Sequence, residues 1–293
     1  MILQLFFNAL LTGSLYALTA VAFTILYRVL GFFHFGVGLY YTMGAYYAYS
    51  LYTLGTSHLL AGIGSILLTG TTGLGLDLLV FRTLRQRKAS SQVELLASIG
   101  IYIIGQNLIS LMFRDNLLSI RGSYSEIGIF FGSASLTSRQ LLIILSAQLA
   151  IIIVMLWLKY SQFGLEIRAL ANNESLAKIM GLPVGRILAL TVFLGSGLAG
   201  FAGFLASLDQ NIFPTMGMPA LLMAVAAKIV GGDRSLAGVI NGAMLIALLQ
   251  SLSLLILPAA WQDALVFLLM IFFLIFFPSG IPGIKDTQKA ESK

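Results

Sequence analysis

The sequence predicts an all-α integral membrane protein, a polytopic bundle of about eight to nine transmembrane helices with one short helix on the cytoplasmic side. Composition is the first reason: the chain has 293 residues, of which 58% are hydrophobic and only 10% charged, whereas soluble domains carry about 25% charged residues. The second reason is that the apolar runs are long and continuous. The strands of a membrane barrel would alternate in polarity, so these runs indicate helices.

The predicted spans follow one another along the chain, each close to the roughly 20 residues that a full crossing takes. They lie near 3–26, 35–54, 58–80, 93–112, 140–158, 187–208, 236–257 and 264–278, with a shorter one near 219–232. We find no soluble domain and no long linker. We therefore expect residues 1–284 to form a single transmembrane domain and residues 285–293 a polar cytoplasmic tail.

Basic residues are distributed unequally over the two sides of these spans. Of the 17 Lys and Arg, only Arg114, Arg121 and Arg139 fall in the predicted outer loop, and Lys228 lies within a span. The positive-inside rule then places the N-terminus outside and the C-terminus in the cytoplasm, and it explains the basic pI without a nucleic-acid ligand. The remaining basic residues share the cytoplasmic side: Arg28, Arg82, Arg85, Arg87, Lys88, Lys159, Arg168, Lys178, Arg186, Arg234, Lys285, Lys289 and Lys293.

Two further expectations concern the outer side. No basic residue precedes the first apolar run and Arg28 follows it, which is the reverse of the charge order of a signal peptide, so the first helix is expected to be retained. The outer loop 114–139 mixes Ser, Gly and aromatic residues. It is expected to be a connector, or to cover the outer mouth or contact an external partner.

A polar island interrupts the apolar sequence at residues 164–186, which read GLEIRALANNESLAKIMGLPVGR. Asn172 or Asn173 can cap a helix there. Glu174 and Lys178 are spaced for an ion pair, and Gly181 with the following proline ends the helix. A helix of about ten residues with this polarity should lie along the membrane face and act as a docking surface. Its predicted apolar face consists of Leu176, Ala177 and Met180.

The chemistry that the sequence lacks also limits the function. It has no cysteine and no G-x-x-x-x-G-K-[ST] phosphate loop, which excludes disulfides, thiolate metal sites and nucleotide hydrolysis by that route. His34 and His58 lack metal-ligand spacing, so no catalytic or metal site is predicted. Asp77 is expected near the inner interface, beside the basic cluster. Without a central proton relay, a transporter of this kind needs an external source of energy.

Glycines inside the spans are interpreted as packing positions, because small residues let helices approach closely in lipid. The spacing of Gly195, Gly197 and Gly200 matches a dinucleotide-binding pattern, but no strand precedes it, so we reject that site. The predicted packing glycines are Gly195, Gly197, Gly200, Gly203, Gly238 and Gly242.

Polar residues within or beside the spans are the pool from which contacts with a solute would come. Interhelical hydrogen bonds are the alternative role for each of them. The candidates are Asn8, Thr12, His34, Gln106, Asn107, Gln148, Asn241 and Gln250.

A series of motifs can be compared with known families. In chain order they are Gly44-Ala-Tyr46, Arg168-Ala-Leu-Ala171, Ala177-x-x-x-Gly181, Arg186-Ile-Leu-Ala-Leu-Thr191, GSGLAGFAG at 195–203, AKIVGGDRSLAG at 227–238, WQDALVFL at 261–268 and FPSGIPG at 277–283. Together they resemble the permease subunits of the branched-chain amino acid and urea class of ABC importers, over nearly the whole chain.

The resemblance implies that the polar island is the coupling helix that lies in a groove of an ATP-binding subunit. The implied partners are two ATP-binding subunits that hold ATP and Mg²⁺, an extracytoplasmic solute-binding protein, and a second related permease that makes a heterodimer, with a homodimer as the alternative. The chain itself would hold no cofactor and would lie in a bacterial-type inner membrane. The implied coupling residues are Arg168, Ala169, Ala171, Glu174, Ala177, Lys178, Met180 and Gly181.

The chain departs from the family pattern at two places. Ser175 and Leu176 stand where the importer loop usually shows Glu and Ala, and His34-Phe-Gly-Val-Gly38 stands where the family commonly shows an N-F-A-H-G-like string. If the second departure shapes the inner mouth, we expect a solute that differs from the typical one of the family. The alternative is that this string only forms a tight, glycine-mediated turn. The leading hypothesis is an ABC permease for branched-chain amino acids, with urea or a short amide next. An ion-coupled transporter and a non-transporting membrane scaffold are more distant alternatives.

Overall fold

The structure, a computed structural model, describes residues 2–120, 128–131, 134–232 and 235–277. Arg121, Arg234 and the predicted tail 285–293 lie outside these residues. The α-helices are α1 (Ile2–Leu30), α2 (Gly36–Thr53), α3 (His58–Leu76), α4 (Arg82–Gln86), α5 (Ser91–Phe113), α6 (Ser138–Tyr160), α7 (Gln162–Asn172), α8 (Glu174–Ile179), α9 (Val184–Asp209), α10 (Gly217–Gly231), α11 (Leu236–Ser253) and α12 (Gln262–Phe276). A π-helical turn, Asp77–Phe81, joins α3 to α4, and a 3₁₀ turn, Ala259–Trp261, precedes α12.

The helices agree with a polytopic membrane protein. Within the described residues, seven helical stretches are long and apolar enough to cross a membrane. They are α1, α3 with its extension to Gln86, α5, α6, α9, α11, and α12 with the turn before it. The two other predicted spans are also helical, but α2 is rich in tyrosine and α10 has only 15 residues.

Side-chain caps fix where several helices begin. Ser57 Oγ accepts a hydrogen bond from the N–H of Leu60 at the start of α3 (3.4 Å). Thr137 and Gln140 form a capping box at α6, in which each side chain bonds the backbone N–H of the other at 3.2 Å. These bonds satisfy N–H groups that have no partner within the helix, so each connection ends at a defined residue.

The core forms around α1, which packs against α11, α9, α10 and α6. Its largest fully buried side chains include Phe23 of α1, Tyr40 of α2, Leu205 of α9 and Leu221 of α10. The helices α5, α6 and α12 lie at the periphery, where large apolar side chains such as Leu111 and Leu268 are exposed. This arrangement is that of a protein whose outer surface faces lipid, because lipid does not penalise exposed apolar side chains.

Glycines bring α2 into backbone contact with its neighbours. A Cβ added at Gly44 would clash with the backbone of Gly200 in α9, and one added at Gly38 would lie 3.0 Å from the carbonyl oxygen of Gly217 in α10. Gly203 approaches the carbonyl oxygen of Tyr41 in the same way. The first turns of α2 and α10 therefore meet, and a side chain at Gly44 or Gly203 would collide with backbone atoms of the neighbouring helix.

The predicted outer loop contains an element that the all-α prediction did not include. Strands β1 (Gly128–Phe131) and β2 (Ala134–Thr137) pair antiparallel, with Gly128 opposite Thr137. The hairpin is tied to the first span, since the N–H of Ser135 donates to Gln4 Oε1 at 2.9 Å. Before the hairpin, in the same predicted loop, Leu118 exchanges backbone hydrogen bonds of 3.0 and 2.8 Å with Ile212. The described part of the loop is thus structured and packs on the bundle.

Candidate coupling surface

The polar island folds as two helices, which corrects the single helix of about ten residues that we predicted. Ser161 Oγ accepts from the N–H of Gly164 (3.0 Å) and begins α7. Asn173 Oδ1 accepts from the N–H of Leu176 (2.9 Å) and begins α8, which has six residues. Asn173 itself is extended, with φ −159° and ψ 102°. A second cap within the island therefore ends one helix and starts the next.

The first of these helices, α7, is fixed to the end of α6. Its residues Ile167 and Leu170 are buried. Gly164 lies so close to the carbonyl oxygen of Leu158 that a side chain there would clash. The same carbonyl accepts a hydrogen bond of 2.6 Å from Arg168 Nη1. In this structure Arg168 therefore satisfies an unpaired carbonyl at the end of α6 and holds the α6–α7 corner.

The second helix, α8, has the local contacts that its sequence predicts. Glu174 Oε1 and Lys178 Nζ form an exposed ion pair of 2.6 Å. At the other end, Gly181 has φ +79°. Its N–H donates to Lys178 O (3.0 Å), and the N–H of Leu182 donates to Ala177 O (3.1 Å). This pair of bonds is a Schellman motif, which ends a helix at a left-handed glycine.

One exposed face of α8 and its C-terminal end is apolar. Leu176, Ile179 and Met180 are 56%, 81% and 75% exposed, and we call these three residues the docking face. Ala177 is only 3% exposed and points into the protein, so the prediction that it shares a face with Leu176 and Met180 was wrong. Successive side chains of a helix point about 100° apart. Ala177 therefore points away from Leu176 and falls on the inner side of α8.

The other predicted coupling residues, apart from Ala177, are also exposed. Ala169 and Ala171 of α7 are exposed, as are Glu174, Lys178 and Gly181. Leu165 of α7 is 63% exposed. The island thus presents apolar side chains together with charges of both signs.

A charged cleft of about 640 Å³ lies behind the docking face, between α8–α9 and the end of α4. Glu174 and Lys178 line it on one side, and Asp77 and Arg85 on the other. Asp77 Oδ2 and Arg85 Nη2 form a salt bridge of 2.8 Å, in which the Asp77 side chain is 3% and the Arg85 side chain 23% exposed. Asp77 lies in the π-helical turn, so the pair connects this turn to α4.

His34 connects the same π-helical turn to the start of α2. It is 1% exposed, and its ring lies 4.8 Å from that of Phe81 and 5.7 Å from that of Tyr40. Gly36 leaves room for the ring, since an added Cβ would lie 2.7 Å from His34 Nδ1. His34 is therefore packed inside the protein, away from any open pathway in this structure. Four buried polar atoms of His34 and other residues in this region have no hydrogen-bond partner among the described residues. They are His34 Nδ1, Tyr40 Oη, Asp77 Oδ1 and Arg85 Nη1.

The other candidate pathway residues do not form one site. Gln148 Nε2 donates to Ser14 Oγ (3.1 Å), and Gln250 Nε2 donates to Asp263 Oδ1 (3.3 Å), so these two join different helices. The others are distributed over α1, α5 and α11. Asn8, Asn107 and Asn241 are exposed, and Thr12 and Gln106 are half-buried.

The candidate packing glycines lie against neighbouring helices. A Cβ at Gly195 would lie 2.8 Å from Leu26 Cδ2, and one at Gly197 would lie 3.1 Å from the carbonyl oxygen of Ile66. Gly200 faces Thr69, and Gly238 and Gly242 face Gly231 and Ala227 of α10. All of these contacts are between helices.

Sequence reasoning missed several residues that the structure brings to the site. Ile179 is the most exposed side chain of the docking face, and it was not among the predicted residues. Its position, as an apolar residue between Lys178 and Gly181 in a polar segment, could have identified it. The Asp77–Arg85 bridge and the contact of His34 with Phe81 join residues whose pairing depends on the π-helical turn. That turn has no signal in the sequence that we recognise.

Known proteins match this chain over most of its length. A family model described as the permease component of branched-chain amino acid transport systems matches residues 5–274. The high-affinity branched-chain amino acid permease protein LivH of Salmonella typhimurium is 29% identical, covering 98% of this chain and 97% of that protein. BraD of Pseudomonas aeruginosa, with the same type of name, is 28% identical with the same coverage.

A more distant organism and a solved structure also match. The probable LivH permease of Methanocaldococcus jannaschii is 28% identical over 94% of this chain and 91% of its own length. Among solved structures, PsaBC from Streptococcus pneumoniae in complex with Fab aligns with a TM-score of 0.49 and 16% identity, covering 92% of this chain and 90% of that one.

Proposed function

This chain belongs to the family of permease components of branched-chain amino acid transport systems, and from that premise we propose that it is the membrane subunit of an ABC importer for branched-chain amino acids. The observation that carries the proposal is the family match over residues 5–274, together with relatives named LivH and BraD that align over 97% of their length. The chain acts as a transport subunit, and its energy comes from partner subunits.

We infer an assembly of two ATP-binding subunits, a second related permease and an extracytoplasmic solute-binding protein. ATP and Mg²⁺ would be held by the ATP-binding subunits. In this assembly α2 and α10 are spans in addition to the seven apolar stretches, which makes nine crossings, with the N-terminus outside and the C-terminus in the cytoplasm. The distribution of Lys and Arg supports this orientation.

The docking face is our candidate for the contact with an ATP-binding subunit. Two exposed apolar side chains on a helix of six residues and a third at its C-cap are costly in water, and they are covered when a partner groove binds them. The short helix is stabilised by the ion pair of Glu174 and Lys178 and by the Schellman motif at Gly181. A partner can therefore push on α8 as a rigid unit.

A series of contacts connects α8 to the spans, so that motion of α8 can be transmitted to them. Glu174 and Lys178 line the same charged cleft as Asp77 and Arg85. The π-helical turn that contains Asp77 contacts His34 through Phe81, and His34 precedes α2. We propose that closure of the ATP-binding subunits changes this cleft and shifts α2 against α10, where their first turns meet at Gly38 and Gly217.

Reconstitution tests the proposed function. The permease is assembled in proteoliposomes with the ATP-binding subunits and the binding protein of its own transport system, and uptake of labelled leucine and labelled urea is measured. We expect leucine uptake that requires ATP inside, persists with an uncoupler and exceeds urea uptake. Uptake that collapses with the uncoupler while ATP is maintained would instead show an ion-coupled carrier, and urea uptake without leucine uptake would overturn the proposed substrate.

A further inference from the structure

A second cleft, beside α7, combines an apolar wall with a cationic rim. This cleft of about 600 Å³ lies between α1, the end of α6, α7 and the start of α11, and we call it the inner cleft. The apolar wall is formed by Ile25, Met155, Leu158, Ile167 and Leu236. The cleft is too large to be a packing defect. Ile25, Leu158 and Ile167 of its wall are buried in the core beneath it, and Met155 and Leu236 are half-buried.

The rim of the inner cleft carries three cations, Arg28, Lys159 and Arg168. None of the described residues that line the cleft is acidic. The start of α11 adds to the positive potential, since Ser235 and Ala237 line the cleft and a helix N-terminus carries partial positive charge. Three cations together with a helix start favour an anion, and the phosphate of a phosphodiester has the charge and oxygen geometry that Arg and Lys bind.

Neighbouring aromatic residues place the inner cleft at the level of lipid headgroups. Trp157 and Tyr160 lie in the last turn of α6, beside Lys159, and are 41% and 75% exposed. Exposed Trp and Tyr near the end of an apolar helix are typical of the membrane interface. An apolar wall below a cationic rim at this depth matches the two parts of a phospholipid, which are its acyl chains and its phosphate.

We propose that the inner cleft binds one anionic phospholipid, with its phosphate at Arg28, Lys159 and Arg168 and an acyl chain along the apolar wall. Basic pockets between helices at the cytoplasmic interface are suited to such headgroups. Gly164, Ile167, Arg168 and Ala171 of α7 line the cleft, so the bound lipid steadies the α6–α7 corner from which the docking face extends. The proposal concerns membrane lipid and does not depend on the transported solute.

Lipid binding to the purified full-length chain tests this proposal. Phosphatidylglycerol and phosphatidylcholine are titrated into the detergent-solubilised protein, and bound lipid is counted by native mass spectrometry alongside the thermal unfolding temperature. We expect one saturable phosphatidylglycerol and a higher unfolding temperature, with no such effect of phosphatidylcholine. The double variant Arg28→Gln, Lys159→Gln should bind phosphatidylglycerol on the order of 10-fold to 30-fold more weakly, since each basic group near an anionic lipid contributes about one factor of five.

Matched controls separate this site from general charge effects. The double variant Arg87→Gln, Lys88→Gln removes the same charge from the exposed turn after α4, and it should bind phosphatidylglycerol like the wild type. The single variant Lys159→Gln, at an exposed side chain, serves if the double variant does not fold. Equal binding of both lipids, or equal loss in the cleft and control variants, would overturn the proposal.

Two further arms test other occupants. Inorganic phosphate that displaces phosphatidylglycerol, or raises the unfolding temperature as much, would show that the site takes a soluble anion, and the lipid assignment would be wrong. Release of the lipid when the ATP-binding subunits are added would show that the cleft is a protein contact. Retention of the lipid in the assembled transporter is the result that we expect.

Discussion

At the residue scale, the end of α8 depends on one glycine. Gly181 has φ +79° and no heavy atom within 4 Å of the position of a Cβ, so a side chain meets backbone strain and no clash. We predict that Gly181→Ala strains the Schellman motif by about 1 kcal/mol and loosens the attachment of α8. Substrate-stimulated ATP hydrolysis of the reconstituted transporter should fall, measured against the amount of assembled complex.

Gly185, four residues further on, provides the matched control. An added Cβ would also meet open space there, but the residue lacks positive φ. Gly185→Ala in the first turn of α9 should therefore leave ATP hydrolysis unchanged and slightly favour the helix. Equal losses of ATP hydrolysis in the two variants would show that the left-handed backbone at Gly181 is not required for coupling through α8.

The Asp77–Arg85 bridge gives a second prediction at this scale. The Asp77 side chain is 3% exposed, so Asp77→Asn leaves the Arg85 charge beside a neutral amide inside the protein. We expect this variant to lose about 2 to 3 kcal/mol of stability. This loss is smaller than the loss expected from breaking a fully buried pair, because Arg85 is partly exposed. The thermal unfolding temperature of the purified protein should fall accordingly.

The exposed pair of α8 is the control for this prediction. Glu174 and Lys178 are 56% and 61% exposed, and an exposed pair at i,i+4 contributes only about 0.3 to 0.5 kcal/mol. Glu174→Gln should therefore change the unfolding temperature little. A large loss in this variant and a small one in Asp77→Asn would contradict the view that burial makes the inner pair important for stability.

Local contacts were predictable from the sequence at this scale, and distant ones were not. The cap at Asn173, the Glu174–Lys178 pair and the stop at Gly181 depend on neighbours within one turn, whose spacing the sequence shows directly. The Asp77–Arg85 bridge spans eight residues across a π-helical turn. The direction of Ala177 depends on where α8 begins, and this in turn depends on a cap that also ends α7.

At the element scale, α8 presents its most exposed side chain at Ile179. We predict that Ile179→Glu leaves the fold intact, because the side chain is 81% exposed, and weakens binding of the ATP-binding subunits by at least tenfold, since a charge replaces an apolar contact at a protein interface. Copurification and titration of the subunits measure this effect. Leu117→Glu makes the same change at a 70% exposed residue of the predicted outer loop and should bind the subunits normally.

Whole helices were predictable where their apolar runs were long, because a membrane span needs only length and hydrophobicity. Shorter elements were less visible. The buried positions of α7, at Gly164, Ile167 and Leu170, follow a helical period within a segment that looked polar overall. The hairpin at β1 and β2 has only four residues in each strand, which is too short for a clear alternation.

At the scale of the whole molecule, both proposals depend on the side of the membrane on which α7 and α8 lie. The spans could be placed from the sequence, but the pathway could not, since its candidate residues are spread over several helices. Three of them, Asn107, Gln148 and Gln250, bond the backbone or other side chains. In the assembly that we propose, the pathway lies between two permease subunits, so a single chain carries no complete record of it.

The orientation can be tested directly because the chain has no cysteine. Single cysteines are introduced as Ile179→Cys in the docking face and Leu117→Cys in the outer loop, both at exposed side chains, and right-side-out vesicles are treated with a membrane-impermeant maleimide. The positive-inside distribution predicts labelling of Leu117→Cys in intact vesicles and of Ile179→Cys only after permeabilisation. Labelling of Ile179→Cys in intact vesicles would place α7 and α8 outside, where no ATP-binding subunit and no cytoplasmic-leaflet lipid can reach them.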